Sequence, residues 1–353
     1  MISSRASAIR AKMLEDNTEA FLVTRPENVY YLSGYRSTEG YLAITAEKTM
    51  ILTDFRYIEQ VAGQAPQCEI VDISGDFLKG VGDALSPYAT IAYEEDYLTV
   101  KQLRRLQEFL QAKWVSFDGV VEQLRKVKDD KELNNLRQAA KIADDAFLYI
   151  LGFIAPGISE VEIAGEMEYF MRKAGSEGPS FEFIIASGSR GALPHGTASS
   201  KKIVKGEMVT MDFGAIYNGY HSDITRTVAV GEPSSGMRAV YDLVYKAQAA
   251  ALAQVKAGKQ CSEIDAIARK IIDDAGYAKN FRHGLGHGLG LEVHEEPRFN
   301  TVDHSVLAAN VVITVEPGVY LPGVGGVRIE DSVIVLPDGY ELLTKVSKDL
   351  IIL

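Results

Sequence analysis

EMVTMDFGAIYNGYHSDITRTVAV, residues 207–230, decides how the rest of this 353-residue chain is read. Asn218-Gly219 at its centre is a strong signal for a two-residue hairpin turn, because both residue types tolerate positive φ. With that turn, Asp212 faces Thr225 and Gly214 faces Asp223. Side chains alternate between the two faces of a strand, so Asp212, Asp223 and Thr225 share one face. The two carboxylates become diagonal neighbours with backbones roughly 7 Å apart, within reach of a shared cation. Met211 and Phe213 flank Asp212 and mark a half-buried strand. Two like charges placed there repel at high cost unless something positive lies between them.

The pattern recurs downstream. VTMD (209–212) is echoed by ITVE (313–316), and HSDITRTVAV (221–230) loosely by VRIEDSVIV (327–335). Upstream, SEVEIAG…RKAG (159–175) is echoed by SEIDAIA…DDAG (262–276). Ser159 and Ser262 lie 103 residues apart, Asp212 and Glu316 104, and Asp223 and Glu330 107. Three landmarks that nearly share one offset point to an internal duplication, each half reading helix, helix, acidic hairpin. Two copies are too few for a solenoid. The expected architecture is therefore a pseudo-twofold α+β domain with a curved antiparallel sheet flanked by helices. Such symmetry would bring Asp212, Asp223, Glu316 and Glu330 into one cavity. Glu316 precedes Pro317-Gly318 at a strand end, and Glu330 shares a strand face with Arg328 and Ser332. Four clustered carboxylates ask for divalent metal, and their charge suits two ions better than one.

FRHGLGHGLGLEVHEEPRF, residues 281–299, carries three histidines. Its glycines at 284, 286, 288 and 290 rule out a stable helix. His283 and His287 are therefore not the same-face helical pair of a zinc protease. An imidazole beside the carboxylates would complete a site that is mostly oxygen with one nitrogen. That set suits manganese, cobalt or iron better than structural zinc. His195, in ALPHGTAS (192–199), lies between a proline and a glycine and reads as a loop residue. His221 has weaker grounds as a participant.

The first third alternates strands and helices. Residues 5–16 read as an amphipathic helix, AFLVT (20–24), YLAIT (41–45) and TMILTD (49–54) as strands, and KQLRRLQEFLQAK (101–113) as a charged helix. This predicts a small α/β domain over residues 1–123. Residues 124–151 begin polar and become a long helical pattern, so the second domain is expected to span 124–353. A net charge of −11 argues against nucleic acid as a main partner. No stretch is apolar and long enough to span a bilayer, and the first residues lack the unbroken apolar core of a signal peptide. Cys68 and Cys261 show no ligand spacing and suit a reducing compartment. The expectation is a soluble cytoplasmic protein.

PHG (194–196), MDFG (211–214), HSDITRT (221–227), HGLGHGLGLEVHEEP (283–297), VEPGVY (315–320) and GVRIED (326–331) together resemble the pita-bread metallopeptidases. The likeness is greatest to proline dipeptidase (prolidase) and aminopeptidase P. RPENVYYLSGY (25–35) and TDFRY (53–57) resemble the N-terminal domain of that branch, which methionine aminopeptidase typically lacks. The resemblance spans essentially the whole chain. It implies that Asp212, Asp223, His287, Glu316 and Glu330 hold two divalent ions, manganese or cobalt in the first place and iron or zinc as alternatives. It implies that His195 and His294 face the substrate, with His283 nearby, and that Glu316 also moves a proton. Arg328 is expected to orient Glu330 through paired hydrogen bonds. Arg298 is a candidate to bind the C-terminal carboxylate of a dipeptide. The implied reaction is hydrolysis of the peptide bond before proline, by a dipeptidase or by an aminopeptidase acting on longer peptides, in a homodimer. The same fold hosts a metal-free creatinase-like hydrolase and non-catalytic peptide-binding modules. Both would be expected to lose ligand positions, and here all five are filled. Leu285, where many relatives carry a small polar residue, departs from the pattern at no ligand position.

Overall fold

Alternating short strands and helices build the first unit, which runs to Arg125, in a computed structural model that describes residues 2–37 and 39–353. In order these are α1 (Ile2–Glu15), β1 (Ala20–Val23), α2 (Pro26–Ser33), β2 (Tyr41–Thr45), β3 (Thr49–Thr53), α3 (Ile58–Gln64), β4 (Glu69–Asp72), α4 (Phe77–Leu85), β5 (Thr90–Tyr93), α5 (Val100–Phe109), β6 (Lys113–Ser116) and α6 (Val120–Lys126). The strands form one mixed sheet in the order β4-β3-β2-β1-β5-β6. Its β3-β2-β1 centre is antiparallel and its outer pairs are parallel. β1 is buried along its whole length, as expected of a central strand read from an unbroken apolar run. The charged helix is shorter than its sequence pattern. It stops at Phe109 because Leu110 turns extended and Trp114 and Val115 pair with Ile91 and Ala92.

The second unit runs from Lys126 to Leu353. Its first half contains α7 (Asp130–Ile150), α8 (Glu160–Lys173), β7 (Ile184–Ser187), β8 (Glu207–Phe213), β9 (Ile216–Tyr217), β10 (Tyr220–His221) and β11 (Ile224–Val230). Its second half contains α9 (Ser235–Leu252), α10 (Cys261–Asp274), β12 (Gly286–Gly288), β13 (Glu295–Phe299), β14 (Val312–Val315), β15 (Gly318–Leu321), β16 (Gly325–Arg328), β17 (Asp331–Leu336) and β18 (Gly339–Leu342). Within 124–151 the long helical pattern is α7, and the polar start holds the end of α6 and a break after Lys126. Asp129 caps α7 by accepting from the amides of Lys131 and Glu132, while Glu132 returns a bond to the Asp129 amide. That capping box starts a new helix instead of continuing the old one. β11-β8-β7 and β13-β12-β14-β17-β18 form two antiparallel sheets. α7 and α8 bury Ala143, Ile163 and Met167 against Met211 and Val228 of the first sheet. α9 and α10 bury Val244, Ile264 and Ile272 against Ile313 and Val333 of the second.

The first hairpin has the register that Asn218-Gly219 predicts. Tyr217 faces Tyr220, Asp212 faces Thr225, and both turn residues have positive φ, 47° and 79°. Gly214 leaves no room for a side chain against the returning strand: a Cβ there would lie 1.8 Å from the Ser222 carbonyl oxygen. In the second hairpin Val315 faces Asp331 and Gly318 faces Arg328, which brings Glu316 opposite Glu330. The duplication is thus looser than the offsets imply. By register Glu330 takes the place of Thr225, and Asp223 stands two residues nearer the turn of its own hairpin.

Candidate metal centre

Four strand ends deliver four carboxylates. Asp212 is next to last in β8, Asp223 just precedes β11, Glu316 just follows β14, and Glu330 lies between β16 and β17. His287 is the middle residue of β12. Its amide donates to Thr314 Oγ1 (3.0 Å), and its Nδ1 lies 3.0 Å from the Gly288 carbonyl oxygen. A carbonyl can only accept, so the proton sits on Nδ1 and Nε2 is turned toward the acids. Nε2 is 3.3 Å from Glu316 Oε1 and 3.5 Å from Asp223 Oδ2. The flanking glycines make this possible by bringing backbones together. A Cβ at Gly286 would lie 2.0 Å from the Thr314 carbonyl oxygen, and one at Gly288 would lie 2.4 Å from that of Glu296. Asp223, His287 and Glu330 each offer a donor atom within 4.8 Å of the others'.

The electrostatics of this cluster are unbalanced. Asp212, Asp223 and Glu330 are buried, and Asp212 Oδ1, Asp223 Oδ1 and Glu330 Oε1 have no hydrogen-bond partner. Burial, followed by the neighbouring acids, pushes Asp223 and Glu330 well above the usual carboxylate range. Asp212 is also raised by burial, against the pull of Arg328. Burial acts the same way on Glu316, but the nearby His287, His283 and Arg328 together outweigh it and draw the group down to about 2. Buried oxygens without a proton donor, grouped around one imidazole nitrogen, are a donor set that fits divalent cations.

Arg328 corrects one expectation. Its guanidinium does not pair with Glu330. Nη2 meets Asp212 Oδ2 at 2.5 Å, Nε meets Thr225 Oγ1 at 3.1 Å, and Nη1 meets the Tyr320 hydroxyl at 2.8 Å and the Pro194 carbonyl oxygen at 3.1 Å. Glu330 is instead held by the Thr225 hydroxyl at 2.7 Å. The reason lies in the backbone: Arg328 is bonded on both its amide and its carbonyl to Thr227 Oγ1, which lays β16 beside β11 and carries the guanidinium over β8.

A cavity of about 500 Å³ opens onto the cluster. Asp212, Asp223, His287 and Glu316 line it, as do His195, His283, His294, Arg298, Tyr320 and Arg328, while Glu330 is buried outside the lining. His283 bonds the Gly284 carbonyl through Nδ1 (2.7 Å) and accepts from Tyr320 through Nε2 (3.0 Å). Its burial holds it below the usual histidine range. His195 and His294 are exposed at the mouth. The His294 ring lies edge-on to His287 with centroids 4.4 Å apart. Partial burial, then the nearby His287 and Arg298, push His294 down to about 4, so it is neutral. Arg298 faces His287 across β12 and β13, half exposed, 3.6 Å from Glu296. His221 is not part of the lining; its Nδ1 lies 2.9 Å from Ser180 Oγ. The thiols are not part of it either, and burial pushes Cys68 up to about 11 and Cys261 to about 12. Tyr320 and Thr314 escaped the sequence reading. Tyr320 could have been found as the residue two positions beyond Gly318 on the strand that follows Glu316.

Residues 134–337 match the model of metallopeptidase family M24, and residues 5–127 match that of the creatinase/prolidase N-terminal domain. A protein named Xaa-Pro dipeptidase from Pyrococcus horikoshii is 38% identical over 99% of this chain and 99% of its own. A solved Xaa-Pro dipeptidase from Bacillus anthracis is 42% identical with a TM-score of 0.97, covering 100% of both chains. A solved X-Pro aminopeptidase from Thermotoga maritima is 37% identical with a TM-score of 0.92, covering 99% of this chain and 100% of that one.

Proposed function

This chain belongs to metallopeptidase family M24, and from that premise we propose that it is an Xaa-Pro dipeptidase, hydrolysing the bond before a C-terminal proline. The observation that carries this is the trio of buried, unpaired carboxylate oxygens on Asp212, Asp223 and Glu330 beside His287 Nε2. Asp212, Asp223, His287, Glu316 and Glu330 are the residues that would hold two divalent ions, manganese or cobalt. Such ions, when bound, acidify a water and polarise the scissile carbonyl. Glu316, on the cavity wall, takes the attacking water's proton and passes it to the leaving proline nitrogen. His195 and His294 stand at the mouth, where a neutral His294 can donate a hydrogen bond to the developing oxyanion. His283, Tyr320 and Arg328 form a hydrogen-bonded chain that fixes Asp212 from behind. Arg298, on the cavity lining, meets the proline carboxylate. A homodimer and a cytoplasmic setting belong to the same proposal and rest on the family resemblance.

The test compares Xaa-Pro with Xaa-Pro-Xaa peptides on protein loaded with manganese or cobalt. The dipeptide is expected to be cleaved and the longer peptide spared. Arg298→Ala should raise KM for the dipeptide about 10-fold or more, the scale of one charge-assisted hydrogen bond. Preference for the longer peptide would replace the dipeptidase with an aminopeptidase. Neither turnover nor bound metal would favour a creatinase-like or peptide-binding role.

A further inference from the structure

We propose that Glu160 is the positioning residue for His195: one buried carboxylate fastens both ends of the loop that carries this histidine. The inference rests on the reading of His195 as a substrate-facing group. Glu160 opens α8 and is fully buried, yet it does not line the cavity. Its carboxylate accepts from the Ser187 amide (2.8 Å) and hydroxyl (2.9 Å) at the end of β7. It also accepts from the Ser199 amide (3.1 Å) and hydroxyl (2.6 Å), on the far side of His195. Arg190 donates to the same carboxylate and spans the loop with a bond to the Thr197 carbonyl oxygen (2.7 Å). A buried carboxylate left bare would be costly. Here five donors and the positive end of α8 satisfy it.

His195 needs such a fixture. Its ring is exposed and makes no hydrogen bond to a described residue, so its aim is set by the backbone beneath it. That backbone is a run of tight turns, with Leu193 bonded to Arg190, Gly196 to Leu193 and Thr197 to His195 itself. The loop also rests on β16, where a Cβ on Gly191 would come within 2.9 Å of the Gly326 amide nitrogen. Released at Ser187 and Ser199, the segment between them would keep its glycines and the single bond from Arg328 to the Pro194 carbonyl oxygen but lose the anchor at both ends.

The experiment is a double-mutant cycle between Glu160→Gln and His195→Ala on manganese-loaded enzyme, together with amide exchange of residues 188–199 in the metal-free protein. Glu160→Gln should lower kcat roughly 10- to 100-fold, the cost of misplacing a group by about 1 Å. In the His195→Ala background the same change should cost less than about 2-fold, because the two losses are one loss. Exchange in 188–199 should quicken while α9 stays protected and metal content is unchanged. Additive losses, or unaltered exchange, overturn the proposal. A His195→Ala enzyme with full turnover would instead overturn the substrate role on which it rests, a distinguishable result. Should Glu160→Gln fail to fold, Ser199→Ala removes a single donor and must give a smaller loss that again vanishes without His195.

Discussion

Asp144 on α7 is 8% exposed. One of its oxygens accepts from the Lys345 amide (2.7 Å) and the other is buried without a hydrogen-bond partner. Burial pushes its carboxyl from 3.8 up to about 6. The folded state therefore holds this proton more tightly than the unfolded chain does. The resulting stability is complete below the unfolded value and is lost as pH rises through about 6. Asp144→Asn should leave the melting temperature at pH 4 nearly unchanged and raise it at pH 7, by at most about 3 kcal/mol of stability. Equal shifts at both pH values would show that the residue does not titrate this way. Asp144 was invisible in the sequence, one acid among many on a charged helix. Asp212 and Asp223 were legible because a turn dipeptide fixed their register. Arg328 was half legible. Its spacing from Glu330 placed both on one strand face, but its partner is decided by which strand lies alongside, and that is Asp212 on β8. Thr225, with no charge to draw notice, bridges Arg328 and Glu330.

Elements carry the same lesson through their anchors. α10 was read as a helix from its echo of α8, but not as the clamp of the glycine-rich loop. Asp265 is fully buried and takes both arms of Arg269 at 2.8 Å. Arg269 then reaches the carbonyl oxygens of Phe281 (3.1 Å) and His283 (2.9 Å), and Asp265 accepts from the Leu285 amide (3.1 Å). The loop is gripped on both sides of Gly284, where helical periodicity says nothing. Lys128 and Glu295 make a comparable buried pair, at 3.0 Å, beside His294, and they are 167 positions apart in the chain. Long separations of this kind hide a pair from any local reading. Breaking one partner should cost more than removing both. Arg269→Met leaves a buried carboxylate with the Leu285 amide as its remaining partner and should destabilise by about 3 kcal/mol in chemical denaturation, the low end for a broken buried pair, whereas adding Asp265→Asn should restore part of that loss. A double variant less stable than the single would count against the clamp.

At the scale of the molecule, the two halves of the second unit bring four acids together around His287, against the nearby positive charge of Arg328. The sequence disclosed this convergence because duplication and hairpin turns act over short spans. It did not disclose the unequal registers of the two hairpins, which depend on how β14 and β17 pair. Folding without metal therefore works against its own centre: desolvation and mutual repulsion raise Asp223 and Glu330, and oxygens are left unbonded. Two divalent cations supply as many positive charges as the four carboxylates carry negative ones. Metal binding that needs the folded centre is itself folding free energy. Manganese added to chelator-treated protein at about 100 times its dissociation constant should add about 2.7 kcal/mol per independent site and raise the melting temperature, reversibly on chelation. In His287→Ala or Glu330→Ala the rise should vanish, together with turnover. A melting temperature indifferent to manganese in the unaltered protein, or an equal rise in both variants, would place the ions elsewhere and leave the buried oxygens without their counter-charge.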